Sequence, residues 1–168
     1  MGASIVRAIR AASDGAARLS WWAAAGFLML MLSFVGLQVV ARYGFAAPPP
    51  WTEEAARYAM VWMGLLGATV SYRHHLDPRL VELKTLGPAW LRAVKKIVRA
   101  IAALAFTGPI LWYGVPFLAR QSFRKSESLE FNVALVGAIV PLFAALVLLH
   151  VVADLLPDPG KPKEKAVR

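Results

Sequence analysis

The chain contains no cysteine among its 168 residues. This absence excludes disulfides, thiolate nucleophiles and the metal or iron–sulfur sites that need cysteine ligands. Charged residues are also scarce, at 17%, whereas hydrophobic residues make up 58%. Soluble domains carry about 45–50% apolar and about 25% charged residues. The composition therefore predicts an integral membrane protein and not a soluble protein with one apolar patch.

Acidic residues are few relative to basic residues, which leaves a formal net charge of +9. In a soluble protein such an excess would suggest nucleic-acid binding. In a membrane protein, Lys and Arg accumulate in the loops that stay on the cytoplasmic side. We therefore expect the basic residues to set the membrane orientation, and we expect no nucleic-acid partner.

Long apolar runs recur four times along the chain. A helix needs about 20 apolar residues to cross the hydrocarbon core, and its backbone groups must find hydrogen-bond partners within the helix. The sequence therefore predicts an all-α membrane protein with four transmembrane helices, at about 21–41, 55–72, 97–119 and 131–152. We divide the chain into an interfacial N-terminal segment, a transmembrane domain and a disordered basic tail, at 1–20, 21–153 and 154–168.

The distribution of Lys and Arg predicts which side of the membrane each loop faces. The N-terminal segment, the second loop and the C-terminal tail hold thirteen of these residues, whereas the first and third loops hold five. Under the positive-inside rule, both termini face the cytoplasm. In the second loop, Arg92, Lys95, Lys96 and Arg99 recur at helical spacing. This stripe either binds anionic lipid headgroups or is a plain cytoplasmic loop.

Four charged residues surround the connection between the first two spans: Arg42, Glu53, Glu54 and Arg57. Their charges cancel, and compensation is the natural condition for placing ionic groups near lipid depth. Arg57 follows Glu53 by four residues and Glu54 by three, so both carboxylates can reach it on a helix. We expect the two arginines to bracket the two glutamates across the hairpin. The alternative is that all four side chains are solvated at the membrane boundary.

Small residues recur along the second span and define a predicted packing face. Small side chains let another helix backbone approach closely, which is how membrane helices associate. The partner of this face is either another helix of the same chain or a second protein. The predicted subunit-packing residues are Trp51, Trp62, Gly64, Gly67, Ala68 and Ser71.

The hairpin resembles the small membrane subunit of tripartite ATP-independent periplasmic (TRAP) transporters. The resemblance covers about a quarter of the chain and is carried by Arg42, Trp51, Glu53, Glu54, Arg57, Trp62, Gly67, Ala68, Arg73, His75 and Asp77. It implies a bacterial inner-membrane protein that supports a large permease subunit, which itself holds the substrate and ion sites for symport of an organic acid. It also implies a periplasmic substrate-binding protein as a further partner.

The same resemblance assigns roles to two further groups of residues. Arg73, His75 and Asp77 would form the cytoplasmic end of the second span. Exposed residues of the third loop are candidate contacts for the binding protein, with a solvated loop as the alternative. These residues are Arg120, Arg124, Lys125 and Glu127.

Other classes of membrane protein stay open as alternatives. A bis-histidine haem protein would use His74, His75 and His150, although interfacial or hydrogen-bonded histidines also explain them. A four-span drug exporter would need an acid embedded in the membrane, whereas the acids here lie at helix ends. An enzyme is disfavoured because Glu53 and Glu54 point about 100° apart on a helix and nothing supplies a nucleophile. We therefore expect no cofactor and no metal.

Overall fold

A computed structural model describes residues 2–74, 76 and 89–156. Within these residues the chain is almost entirely helical, which confirms the predicted all-α fold, and its one β-type pairing is the isolated bridge between Lys125 and Asn132. Two of the predicted site residues, His75 and Asp77, lie outside the described part of the chain. The helices are α1 (Gly2–Phe45), α2 (Pro50–His74), α3 (Ala89–Gln121), the single turn α4 (Ala134–Gly137) and α5 (Ile139–Leu155).

Three helical segments of the described chain are long and apolar enough to cross a membrane: Ser4–Phe45, Val94–Gln121 and Ala134–Leu155. They correspond to the predicted spans 21–41, 97–119 and 131–152. Helix α2, which holds the predicted span 55–72, is not one of them. Its apolar content is diluted by two arginines, two glutamates, two glycines and several hydroxyl-bearing residues. The four-span count and the orientation of the termini therefore stay predictions.

Helix α1 is continuous over 44 residues. The predicted interfacial segment 1–20 and the predicted span 21–41 therefore belong to a single helix, about 66 Å long at 1.5 Å per residue. The N-terminal half of α1 packs against the other helices, since Ser13, Ala17 and Ser20 are buried at helical spacing.

At the other end of the chain, α5 extends through Asp154 and Leu155, where the sequence predicted the tail to begin.

Helices α1 and α2 form an antiparallel pair that runs the length of the bundle. Phe27 contacts Trp62, with ring centroids 5.3 Å apart, and Phe34 contacts Trp51 edge to face at 6.0 Å. Helix α5 packs against α1, α2 and α3, so it occupies the centre together with α2. Because α2 is shielded by α1 and α5, it needs fewer apolar side chains than a helix that faces lipid.

Helix α3 joins the bundle through α5 and α4, and two glycines make this contact close. A Cβ on Gly114 would lie 3.0 Å from the Cβ of Pro141, and a Cβ on Gly137 would lie 3.1 Å from the ring of Phe117. Within the described ranges, α3 makes no close backbone approach to α1 or α2. An open groove between α2 and α3 results.

Candidate functional site: two polar ends of the helix bundle

Four ionic side chains from four helices meet where α2 and α5 end. Arg73 of α2 lies 2.5 Å from Asp14 of α1 and 3.0 Å from Asp154 of α5. Arg99 of α3 lies 3.8 Å from the second carboxylate oxygen of Asp154. We call these four residues the Arg73 cluster. The charges of these four residues sum to zero. Partly buried ions need such compensation because an unpaired charge loses hydration without gaining a partner.

Cations from neighbouring helices also bind the carbonyl groups that end α2 and α5. Arg99 donates to the carbonyl of Tyr72 and lies 4.0 Å from the centroid of its ring. The carbonyl of Leu156 accepts a hydrogen bond from Arg10 at 2.8 Å, and Lys96 donates to the carbonyl of Leu155 at 3.2 Å. The last carbonyls of a helix lack intrahelical partners and carry partial negative charge. These contacts satisfy them from α1 and α3 and so tie all four long helices together.

A fully buried pair, Ser13 and His150, lies at the same end of the bundle. The Ser13 hydroxyl and the His150 Nδ1 are 2.8 Å apart, which joins α1 to α5. Both side chains are inaccessible to solvent, whereas His74 at the end of α2 is exposed. His150 is thus a buried residue of the helix packing whose Nδ1 is hydrogen-bonded. Within the described residues, no group of three potential metal ligands comes together.

The opposite end is organised around the buried carboxylate of Glu54. It accepts hydrogen bonds from the Tyr58 hydroxyl and, at 2.9 Å, from the backbone N–H of Ser128. The Ser126 hydroxyl and the backbone N–H of Glu127 lie near enough to help lower the pKa of this carboxylate. We call Glu54, Tyr58, Ser126 and Ser128 the Glu54 clamp. It joins the first turn of α2 to the loop between α3 and α4.

Glu54 precedes the predicted span 55–72. Hydrogen bonds to its ionised carboxylate lower its pKa. The bond from Tyr58 contributes most and the bond from Ser126 next, and together with the backbone donors they lower the pKa of Glu54 from 4.5 to about 2. The loop that supplies these donors is itself well defined, because Ser126 donates its N–H to the carbonyl of Phe131 at 2.9 Å. The Phe131 ring also meets the Tyr58 ring edge to face at 5.5 Å.

The charged hairpin differs from the predicted bracket of two arginines around two glutamates. Arg57 lies 3.6 Å from Glu53, and both side chains are largely exposed, at 64% and 61%. Glu54 turns away into its clamp, and exposed Arg42 forms no ion pair with either glutamate in the described part of the chain. The reason is helical geometry: adjacent residues point about 100° apart, so one carboxylate faces outward and the other faces the bundle.

Comparison with known proteins identifies the family. The profile described as tripartite ATP-independent periplasmic transporters, DctQ component, matches residues 31–158. This chain belongs to the DctQ family. A Haemophilus influenzae protein named as a candidate TRAP transporter small permease is 34% identical over 71 residues. The aligned part is 42% of this chain and 44% of that relative, so the match spans less than half of either protein.

Family membership confirms the resemblance that the hairpin residues indicated. The chain is a multi-pass membrane protein, and its family is the DctQ component of tripartite ATP-independent periplasmic transporters. The profile match includes α2 and the whole Glu54 clamp, together with Arg73, Arg99 and Asp154. It begins after Asp14, so the contact of α1 with Arg73 lies partly outside the matched region.

In this DctQ-family chain, the predicted packing face of α2 divides into two parts. The rings of Trp51 and Trp62 contact phenylalanines of α1, so both tryptophans take part in packing within the chain. Gly64 and Ala68 are exposed, whereas Gly67 and Ser71 are partly buried. A Cβ on Gly64 or Gly67 would meet no atom within 4 Å. The described fold therefore does not need glycine at either position.

The loop residues predicted to contact another protein are all on the surface at the Glu54 end. They flank Phe123, which is 90% exposed. The loop follows α3 and returns to α4 through the pairing of Lys125 with Asn132. The exposed charged residues are Arg120, Arg124, Lys125 and Glu127.

Sequence reasoning missed Asp14 and Asp154, although a signal for each was present. Asp14 is the single acidic residue before Glu53, and Asp154 is the single acidic residue between Glu130 and Asp158. An isolated acid within a basic or apolar segment requires a cationic partner if it is buried, so each predicts an ion pair. Tyr58 carried a signal too, since it follows Glu54 by one helical turn.

Proposed function

We propose that this chain is the non-catalytic small membrane subunit of a TRAP-type secondary transporter. In this function it supports a large permease subunit during ion-coupled uptake of an organic acid that a periplasmic binding protein delivers. Membership of the DctQ family supports the assignment. The charge distribution supports a bacterial inner-membrane location with both termini, and therefore the Arg73 end, in the cytoplasm.

The exposed small-residue face of α2 is the observation that carries the structural part of this proposal. Gly114 and Gly137 are required inside the chain because a Cβ at either would press on a neighbouring side chain. Gly64 has open space around it and adjoins exposed Ala68 one turn later. Since small residues in membrane helices permit close helix contact, this face is suited to a helix of another subunit. We assign it to the large permease subunit.

The two polar ends have separate tasks in the proposed subunit. The Arg73 cluster holds the four long helices in fixed relative positions, so α2 presents its docking face rigidly. The Glu54 clamp holds the exposed loop against the start of α2. That loop would meet the binding protein on the periplasmic side through Arg120, Arg124, Lys125 and Glu127, at the opposite end from Arg73.

Two glycine substitutions test the docking face. Gly64→Leu, co-expressed with a large TRAP permease subunit, should reduce co-purification at least about ten-fold, because a loss of about 1.4 kcal/mol in binding suffices for that change. Gly36→Leu is the matched control, since Gly36 is an exposed glycine of α1 whose Cβ would also meet no atom within 4 Å. Equal co-purification of the two variants would contradict the proposed face.

The absence of cysteine allows an independent mapping experiment. A single cysteine introduced by Gly64→Cys should form a crosslink to the permease, whereas Leu32→Cys on the exposed side of α1 should not. Crosslinking from both positions, or from Leu32→Cys alone, would place the interface elsewhere. Failure to co-purify in every variant, including the unmodified chain, would argue against the proposed function as a whole.

A further inference from the structure

The helix packing leaves an open groove between α2 and α3 beside the Arg73 end. It has a volume of about 320 Å³, at the lower end of the range for small-molecule sites. Helices α2 and α3 do not approach each other closely in the described chain, so the groove between them is open. Phe143 and Val147 of α5 form its floor. Its lining includes Ala68, Tyr72, Ala102, Phe106, Phe143 and Val147.

The groove is chemically suited to hydrocarbon. Aliphatic and aromatic side chains make up most of its wall, and Phe106 remains 63% exposed. Two residues with hydroxyl groups, Tyr72 and Thr107, also line the groove, and the Thr107 hydroxyl donates to the carbonyl of Ala103 at 2.7 Å. An apolar occupant would therefore leave the Thr107 hydroxyl with its partner.

A positive charge stands at one end of the groove. Arg99 belongs to its lining, and Lys95 and Lys96 lie one turn earlier on α3. Lys96 donates to the carbonyl of Leu155 and pairs with no carboxylate among the described residues, so this contact does not neutralise its charge. The cation favours an anionic group at the position where the apolar groove reaches the end of the bundle.

We propose that the α2–α3 groove binds one anionic phospholipid, with an acyl chain along the apolar wall and the phosphate beside Arg99 and Lys96. The charge at the end of the groove selects an anionic headgroup over a zwitterionic one. The groove shares Ala68 with the proposed docking face, so the lipid is tested on the isolated chain, where no permease competes for that wall.

A groove-filling substitution tests the site. Ala102 is exposed and lines the groove, so Ala102→Phe should block the acyl chain without disturbing the bundle. Ala105→Phe is the matched control, because Ala105 is an exposed alanine of the same helix that does not line the groove. The full-length chain is placed in phosphatidylcholine nanodiscs that contain a small fraction of phosphatidylglycerol, and bound lipid is counted by native mass spectrometry.

The expected result is one retained phosphatidylglycerol on the unmodified chain and on Ala105→Phe, with at least about ten-fold less on Ala102→Phe. Lys96→Gln should also reduce retention, whereas Lys125→Gln at the opposite end should not. Retention by Ala102→Phe, equal loss from both alanine variants, or equal retention of phosphatidylcholine would each overturn the proposal. The proposal also fails if a residue of the groove crosslinks to a permease helix while Ala102→Phe still retains phosphatidylglycerol.

Discussion

The two ends of this helix bundle are held by different kinds of polar contact. At the Arg73 end, ionic groups join residues 59 and 81 positions apart in the chain and connect α1, α2, α3 and α5. At the Glu54 end, one carboxylate binds a hydroxyl one helical turn away and a single loop. The contacts at the Arg73 end therefore determine how the helices lie relative to each other. The contacts at the Glu54 end determine the position of one loop.

Removal of Arg73 should have the largest effect on stability. Arg73→Ala leaves the carboxylates of Asp14 and Asp154 without their shared cation, and breaking a partly buried ion pair in this way costs about 3 kcal/mol. Denaturant-induced unfolding in detergent measures the change. Adding Asp14→Asn to Arg73→Ala should restore part of the lost stability, because Asp14 has no second cation in the cluster whereas Asp154 keeps Arg99. An Arg73→Ala variant as stable as Arg124→Ala, which changes an exposed loop residue, would show that the cluster does not hold the helices.

Loss of the Glu54 carboxylate should loosen the loop and leave the helix packing in place. Glu54→Gln removes the charge that binds the Tyr58 hydroxyl and the Ser128 amide, and hydrogen bonds to charged groups are the stronger kind. Amide hydrogen exchange in the loop should accelerate about ten-fold, while exchange in α5 stays unchanged. Glu53→Gln is the adjacent control. Equal acceleration by both variants would place the constraint on the loop somewhere other than Glu54.

The Glu54 clamp should respond to acid. Because the folded protein lowers the pKa of Glu54 to about 2, the clamp contributes full stability above pH 4.5 and loses it as the pH falls toward 2. The backbone amide of Ser128 should report this protonation in an NMR titration with a midpoint near 2. In Tyr58→Phe the midpoint should rise, since the hydroxyl that lowers this pKa most is gone. A midpoint near 4.5 in the unmodified chain would mean that the carboxylate is not held by the loop.

The exposed pair of Arg57 and Glu53 should contribute least to stability. Both side chains are mainly solvated, so Arg57→Gln should change the free energy of unfolding by less than about 1 kcal/mol, and high salt should remove even that difference. A loss comparable to that of Arg73→Ala would revive the bracketed cluster that the sequence predicted. If Arg57→Gln weakens binding to the permease without lowering stability, its role lies at the subunit interface.

Much of the fold was predictable because lipid imposes strict requirements on a chain. The apolar runs indicated helices, and the hairpin residues from Arg42 to Asp77 indicated the family. Helix α2 was recognisable despite its lower apolar content because its charges lie at its ends. The continuity of α1 through residue 20 was harder to predict, since it depends on small residues that are buried against other helices.

The sequence by itself determined that this is a helical membrane protein of the DctQ family, because hydrophobic run length and a local charged motif are properties of neighbouring residues. Only the tertiary structure decided which charges pair. Glu53 and Glu54 are adjacent, yet Glu53 pairs with exposed Arg57 whereas Glu54 binds the loop. Asp14 pairs with Arg73 across 59 positions. Ion pairs between helices depend on the rotation and register of each helix, which are set by side-chain packing and not by spacing along the chain.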